Sequence, residues 1–193
     1  MKRKLLLFLG FALMAGGMLL FAGTQWLGDL GQKQCRETVQ RMEDLLPDSK
    51  PGIPGLYSNT DMPVLSLNKK DYSALLSVPS QGVKLPVVHR WKDRSLLTAP
   101  CRFSGSVYDG TLVIGGTDRP GQLDFCKRLD IGDEIRITDM AGLEFRFTVT
   151  RVERTSDPTA EKLMKEEYDL TVYVKDSYSL EYILVRCNGL ASG

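Results

Sequence analysis

From about Tyr72 onward the chain breaks into short runs in which apolar and polar residues alternate, and this period of two restricts the fold more than any other feature. In LEFRFTVTRV, Phe145, Phe147 and Val149 alternate with Arg146 and Thr148. Such a pattern buries one face of a strand and leaves the other in water. The same texture marks YSALLSV, VKLPVV, CRFSGSV, TLVIG, EIRITD, DLTVYV and EYILVRC. Asp139 to Gly142 (DMAG) separates two of these runs and reads as a hairpin turn. Asp157-Pro158 introduces TAEKLMKEEYD, a short helical segment. About eight short strands with sparse helix predict an all-β barrel or sandwich.

The N-terminal part has a different texture. Lys2, Arg3 and Lys4 precede LLLFLGFALMAGGMLLFAG, and no further charge occurs before Asp29. Leu5 to Gly23 is nineteen mostly apolar residues, close to the ~20 that cross a bilayer core. The basic flank places the N-terminus in the cytoplasm and the remainder outside. A cleaved signal peptide competes with this reading, but the run exceeds the ~7–15 residues of a signal-peptide core and no A-x-A-like site follows. An uncleaved signal-anchor is therefore expected, with Trp26 suited to the interface. RETVQRMEDLLP then predicts a helix, with Val39, Met42, Leu45 and Leu46 at helical spacing and Pro47 as its stop. PDSKPGIPGLYSNTDMP lacks periodicity and reads as a linker or loosely held arm. The chain thus divides into a signal-anchor over 1–30, a juxtamembrane helix and linker over 31–66, and a β domain over 67–193.

Lysine plus arginine number 25 against 24 acids, a net charge of +1. That balance lacks the basic footprint of a nucleic-acid binder. An extracytoplasmic domain permits disulfides, and Cys35, Cys101, Cys126 and Cys187 allow three complete pairings. Without a C-x-x-C, and with His89 as the only histidine, neither a structural zinc site nor any other metal or cofactor is indicated. The loop GGTDRPG has no G-x-x-x-x-G-K-[ST] pattern, so a phosphate cradle is not indicated either.

Four stretches, in consistent order, resemble the sortases, the membrane-anchored cysteine transpeptidases of Gram-positive bacteria. SALLSVPSQGVKLPVV is similar to the strand–turn–strand that opens the sortase barrel. LLTAPCRFSGSVYDGTLVIGG resembles the strand pair leading to the sortase histidine, especially in class B-like members. CKRLDIGDEIRITDMAGLEFRFTVTRVE resembles the L-x-x-G-D hairpin and the long strand after it. EEYDLTVYV and EYILVRC resemble the last two strands, which carry the family's cysteine and arginine. The resemblance covers roughly Tyr72 to Cys187. It implies an all-β, sortase-like closed barrel of about eight strands with short helices, preceded by a transmembrane helix.

The resemblance also implies a chemistry: a thiolate attacks a Thr–Gly bond, a histidine moves the proton and an arginine steadies the oxyanion. At the matching positions this chain has Thr117 after LVIGG for histidine, Lys175 after DLTVYV for cysteine, and Tyr182 before ILVRC for arginine. All three are substituted, so no catalytic residue is assigned. The expected protein is an inactive, membrane-anchored relative that binds sorting-signal-like peptides or assists an active sortase or pilin partner. The alternative is relocated chemistry: a cysteine-independent transpeptidase, or a Ser–Lys hydrolase pairing Lys175 as a desolvated base with Ser177 or Ser106. Cys101 and Cys187 match cysteines of class B-like relatives outside the catalytic position, which leaves a structural disulfide between them open. Cys126 reads as a buried small hydrophobe and His89 as a loop or surface histidine. Tyr108, Tyr173, Tyr178 and Tyr182 either line a peptide groove or pack on strand faces.

Overall fold

A computed structural model of the chain describes residues 10, 13–18, 32–57, 61–91, 99–119, 121–165, 167–177, 179 and 181–190. The signal-anchor expected over Leu5 to Gly23 falls largely outside them. Among the described residues no helix is long and apolar enough to cross a membrane.

Helix α1 covers 32–45. The strands follow as β1 (Lys50–Pro51), β2 (Leu65–Leu67), β3 (Lys70–Val78), β4 (Val83–Val88), β5 (Cys101–Ser104), β6 (Leu112–Thr117), β7 (Glu134–Asp139), β8 (Leu143–Thr155), β9 (Leu170–Lys175) and β10 (Tyr182–Gly189), with helix α2 (Ala160–Leu163) between β8 and β9. A 3-10 turn of helix spans Leu123–Arg128 between β6 and β7. Pairing runs β3-β4-β5-β6-β9-β10-β8-β7 and returns from β7 to β3, so the sheet closes on itself. The β4–β5 and β6–β9 pairs are parallel. Each of the eight runs that the alternation marked contributes one barrel strand, and closure removes the exposed edges an open sheet would leave.

The alternation sorts residues between two sides of the wall. Phe145, Phe147 and Val149 are fully buried in the interior with Ile114, Val172, Val185 and Cys187, while Arg146 and Thr150 are exposed. The β7–β8 turn falls at DMAG as its composition predicts: Gly142 takes φ +83°, a left-handed conformation open to glycine without a Cβ clash. Asp139 accepts hydrogen bonds from the amides of Ala141 and Leu143, both at 2.8 Å.

Four local expectations change. On α1 it is Cys35, Val39 and Met42 that are buried, with Leu46 partly so; Leu45 is 60% exposed because it lies off that stripe. The arm after Pro47 is held rather than loose. β1 pairs in parallel with the start of β8, and Tyr57 packs on Tyr108 and Phe145 with ring centroids at 5.1 and 6.0 Å. CRFSGSV is strand only over Cys101–Ser104. The helix after Pro158 shortens to the four residues Ala160–Leu163, capped by the Thr159 hydroxyl, which accepts from the Lys162 amide at 3.4 Å.

None of the four cysteines forms a disulfide, and all are buried. Cys187 lies in the barrel interior. Cys101 lies outside the wall with Val39 and Met42 of α1. The two side chains therefore occupy different faces, and the Cys101–Cys187 bridge left open above is not made.

Candidate functional site

Three strands side by side, β6, β9 and β10, bring the three singled-out positions together. Thr117 is opposite Lys175 across the β6–β9 pair, and Lys175 is opposite Tyr182 across β9–β10. Neighbouring strands stand ~4.8 Å apart, so the three positions form one row about 10 Å long. Their neighbours Val174 and Ile183 point inward, so the period of two puts the row on the outer face. The next row on that face is Gly115, Tyr173 and Leu184, and the one beyond is Val113, Thr171 and Arg186.

The middle row is covered by the chain's own side chains. Trp91 stacks on Tyr173 at 5.7 Å with the planes 20° apart. Phe103 meets both rings edge-on, at 5.4 and 5.7 Å. Gly115 is what admits these rings: a Cβ there would lie 2.4 Å from Tyr173 Cζ and 2.6 Å from Trp91 Cζ3. Burial, with Tyr182 alongside, pushes the Tyr173 hydroxyl up from its ordinary value. Tyr182 is half-buried against this cluster. Tyr108 lies elsewhere, donating its hydroxyl to Asp139, and Tyr178 is outside the described residues.

The third row is covered by α2. Arg186 is 1% exposed. Its Nη1 donates to the Leu163 carbonyl at 3.1 Å and to Thr171 Oγ1 at 2.9 Å, and its Nη2 donates to the Lys162 carbonyl. The guanidinium also lies over the Tyr168 ring at 5.2 Å. A cation on the last carbonyls of a helix satisfies groups that have no partner within the helix. Arg186 thereby pins α2 and the buried Leu163 to the outer face.

Beside the first row, charged groups neutralise one another. Lys127 reaches Asp118 at 2.8 Å and Asp176 at 3.1 Å. Asp118 also accepts from the Ser177 amide at 2.9 Å and from the Ser177 hydroxyl, and Arg154 stands 3.5 Å from Asp176. Burial alone would raise the Asp118 carboxyl, but the hydrogen bonds from Lys127 and Ser177 outweigh it and hold it below the usual carboxylate range. A carboxyl depressed by folding stabilises the fold fully above its unfolded pKa, and that stabilisation is lost as pH falls through the folded value. Asp118→Asn is therefore expected to cost about 1–2 kcal/mol at pH 7. The gap in melting temperature from the unaltered protein should close as the pH is lowered below about 4. A gap that stays constant from pH 7 to pH 3 would show that the ionised carboxylate contributes nothing.

The candidate nucleophiles are placed as follows. Lys175 is exposed, so it lacks the desolvated setting of a Ser–Lys base. Ser177 gives its hydroxyl proton to Asp118. Ser106 is buried near the opposite end of β6, where its Oγ accepts from the Tyr108 amide at 3.1 Å. Thr117 donates its hydroxyl to Gln122 Oε1 at 2.8 Å. Burial raises the thiols of Cys126 and Cys187, and raises that of Cys35 to about 11 with Arg36 opposing. These three sulfurs are protonated at neutral pH and poor nucleophiles. His89 is half-buried at the end of β4 and is lowered by burial and by Arg102 and Arg90. Among the described residues no group of three or more His, Cys, Asp or Glu is placed to hold a metal. Trp91, Phe103, Leu163 and Arg186 escaped the sequence reading; Gly115 marks room for a ring on that face but does not say which ring fills it.

The sequence matches no family model, and no curated protein matches it. Solved structures do match. Sortase A from Corynebacterium diphtheriae aligns over 86% of this chain and 85% of its own, with a TM-score of 0.57 and 17% identity. Sortase C1 from Streptococcus agalactiae aligns over 67% and 72%, at 0.56 and 18%. A sortase D5 transpeptidase from Clostridium perfringens aligns over 62% and 79%, at 0.54 and 16%. Its closed eight-stranded barrel and these likenesses together show that the chain has the sortase fold.

Proposed function

We propose that this protein is a membrane-anchored, extracytoplasmic and non-catalytic participant in the anchoring of surface proteins, which holds a sorting-signal-like peptide or an active sortase partner. The observation that carries the reading is the row Thr117, Lys175 and Tyr182, which contains no thiol, imidazole or guanidinium. Acyl transfer by a covalent route needs a nucleophile and base in hydrogen-bond reach of each other, and this row offers neither a thiolate nor a desolvated amine. A related sortase C from Clostridium perfringens has been solved with a C-terminal cell wall sorting motif, which supports a peptide of that class as the ligand to try. A second reading, a purely structural envelope module, is favoured by one observation: the Trp91–Tyr173–Phe103 cluster already covers the middle of the face.

Incubation of the protein with fluorescent LPXTG-type and NPQTN-type peptides and an amine tests both. The expected outcome is saturable binding, weakened by Lys175→Ala, with no cleaved or transferred product. Product that disappears in the Lys175→Ala variant would overturn the non-catalytic reading. Absence of both binding and product would leave the structural module standing.

A further inference from the structure

On the inner side of the barrel wall, away from the outer-face row, two cationic side chains stand side by side with buried nitrogens that lack partners. β4 and β5 pair in parallel at Val88 and Cys101, which makes the next residues, His89 and Arg102, neighbours across the two strands. Val88 and Cys101 pack outside the wall with α1, so alternation turns His89 and Arg102 inward. Ile114, opposite Arg102 on β6, takes the same side. Both residues are half-buried, which leaves them reachable from water. His89 Nδ1 and Arg102 Nη1 are nevertheless buried atoms with no hydrogen-bond partner among the described residues. One strand away, the bulge of β3 between Tyr72 and Ala74 holds Ser73, fully buried and with its hydroxyl unpartnered. The three unpartnered groups therefore lie on adjacent strands, and buried polar groups in that state are rare and costly.

The charge around them favours an anion. Asp71 accepts from the Ser66 hydroxyl. Asp109 accepts from the amides of Ser106 and Thr111, both at 3.1 Å, and from the Thr111 hydroxyl. These carboxylates close their own turns and leave Arg102 without an ion pair. Arg102 and Arg90 each act on the imidazole more strongly than Asp71 or Asp61 does, so the field at His89 is positive.

We propose that His89 and Arg102 form a binding site for a phosphate-class oxyanion, either free phosphate or the phosphate of a lipid headgroup, with Arg102 Nη1 and His89 Nδ1 as donors. A guanidinium pairs with phosphate oxygens through charge-assisted hydrogen bonds, and an imidazole protonated on Nδ1 donates a second. Two arginines around one imidazole suit a strongly charged anion better than a neutral ligand.

His89 is the only histidine, so its two ring C–H signals report the site without ambiguity in an NMR spectrum. The full chain in zwitterionic nanodiscs is titrated with inorganic phosphate, chloride keeping the ionic strength constant. Both signals should move saturably within about 10 mM phosphate, and the His89 pKa should rise when the anion is bound. Arg102→Gln should weaken phosphate binding at least about tenfold with circular dichroism unchanged. Arg102→Lys, which keeps the charge without the planar fork, should weaken it less. Nanodiscs containing phosphatidylglycerol distinguish the sources: a His89 shift caused by that lipid alone assigns the site to a headgroup, and one that needs added phosphate assigns it to a soluble anion. Signals that stay in place up to about 20 mM phosphate in both kinds of nanodisc, or that move equally with acetate, would overturn the proposal. Phosphate affinity unchanged in a folded Arg102→Gln variant would overturn it as well.

Discussion

Asp139→Ala is expected to lower the free energy of unfolding by about 3–4 kcal/mol, one of the two largest losses from a single side chain here. Asp139 is fully buried. Its Oδ1 accepts from the amides of Ala141 and Leu143, and its Oδ2 accepts from the Tyr108 hydroxyl. These bonds close the β7–β8 turn and tie it to the end of the β5–β6 connection, where Tyr57, Tyr108 and Phe145 pack together. Burial first, then the bond to Asp139, raises the Tyr108 hydroxyl from its ordinary value, so the phenol donates throughout the physiological range. Removing the carboxylate leaves donors without an acceptor, each costing about 1–3 kcal/mol when buried. Asp139→Asn retains one oxygen and should lose about half as much. In the double variant with Tyr108→Phe the losses should fall short of additive, because one group is then no longer stranded. Urea midpoints measure all three, and a loss below about 1 kcal/mol for Asp139→Ala would refute the account.

Arg186→Ala should cost about 3 kcal/mol and should also loosen one particular element. The guanidinium holds the carbonyls of Lys162 and Leu163, the Thr171 hydroxyl and the Tyr168 ring. It also stands 3.8 Å from Glu153 Oε1. Burial lowers Arg186 from its ordinary value, with Glu153 opposing. Truncation leaves the helix end uncapped, Glu153 with Arg151 as its remaining ion-pair partner and a hole beside Leu163. Arg186→Met keeps the packing of the stem and should lose about half as much. The distinguishing readout is hydrogen exchange. Amides of 160–164 should lose protection well before global unfolding, whereas those of β9 should not. If both segments change together, Arg186 acts on the barrel as a whole and not as the anchor of α2. The same release would uncover the third row of the outer face, so peptide binding at Lys175 should rise or hold in Arg186→Met if that face is the docking surface.

The eight barrel strands were legible because alternation is a local property. Phe145, Phe147 and Val149 declare their common face with no knowledge of what packs on them. The row Thr117, Lys175 and Tyr182 was legible only through resemblance, since Thr117 joins the other two by parallel pairing of strands about sixty positions apart. The covering of the adjoining row was not legible. Trp91 and Phe103 come from β4–β5 and its connections, and nothing in their neighbourhoods shows that they rest on Gly115 and Tyr173. Cys101 and Cys187 show the same limit: each reads as an apolar strand residue, but which side of a closed wall it faces depends on register and bulges. The charges beside the row follow suit, for Asp118 and Asp176 share Lys127 only once the ends of β6 and β9 are adjacent.

The sequence by itself determined the all-β class, the number and order of the barrel strands and the turn at DMAG, because each depends on residues within a few positions of one another. Tertiary structure alone decided that the arm after α1 pairs with β8, that no thiol bridge forms, that α2 is pinned by Arg186, and that Tyr173 packs under Trp91 and Phe103 where the sequence left groove lining and strand-face packing both open. Those outcomes are set by contacts between residues far apart in the chain, whose geometry exists only after the barrel has closed.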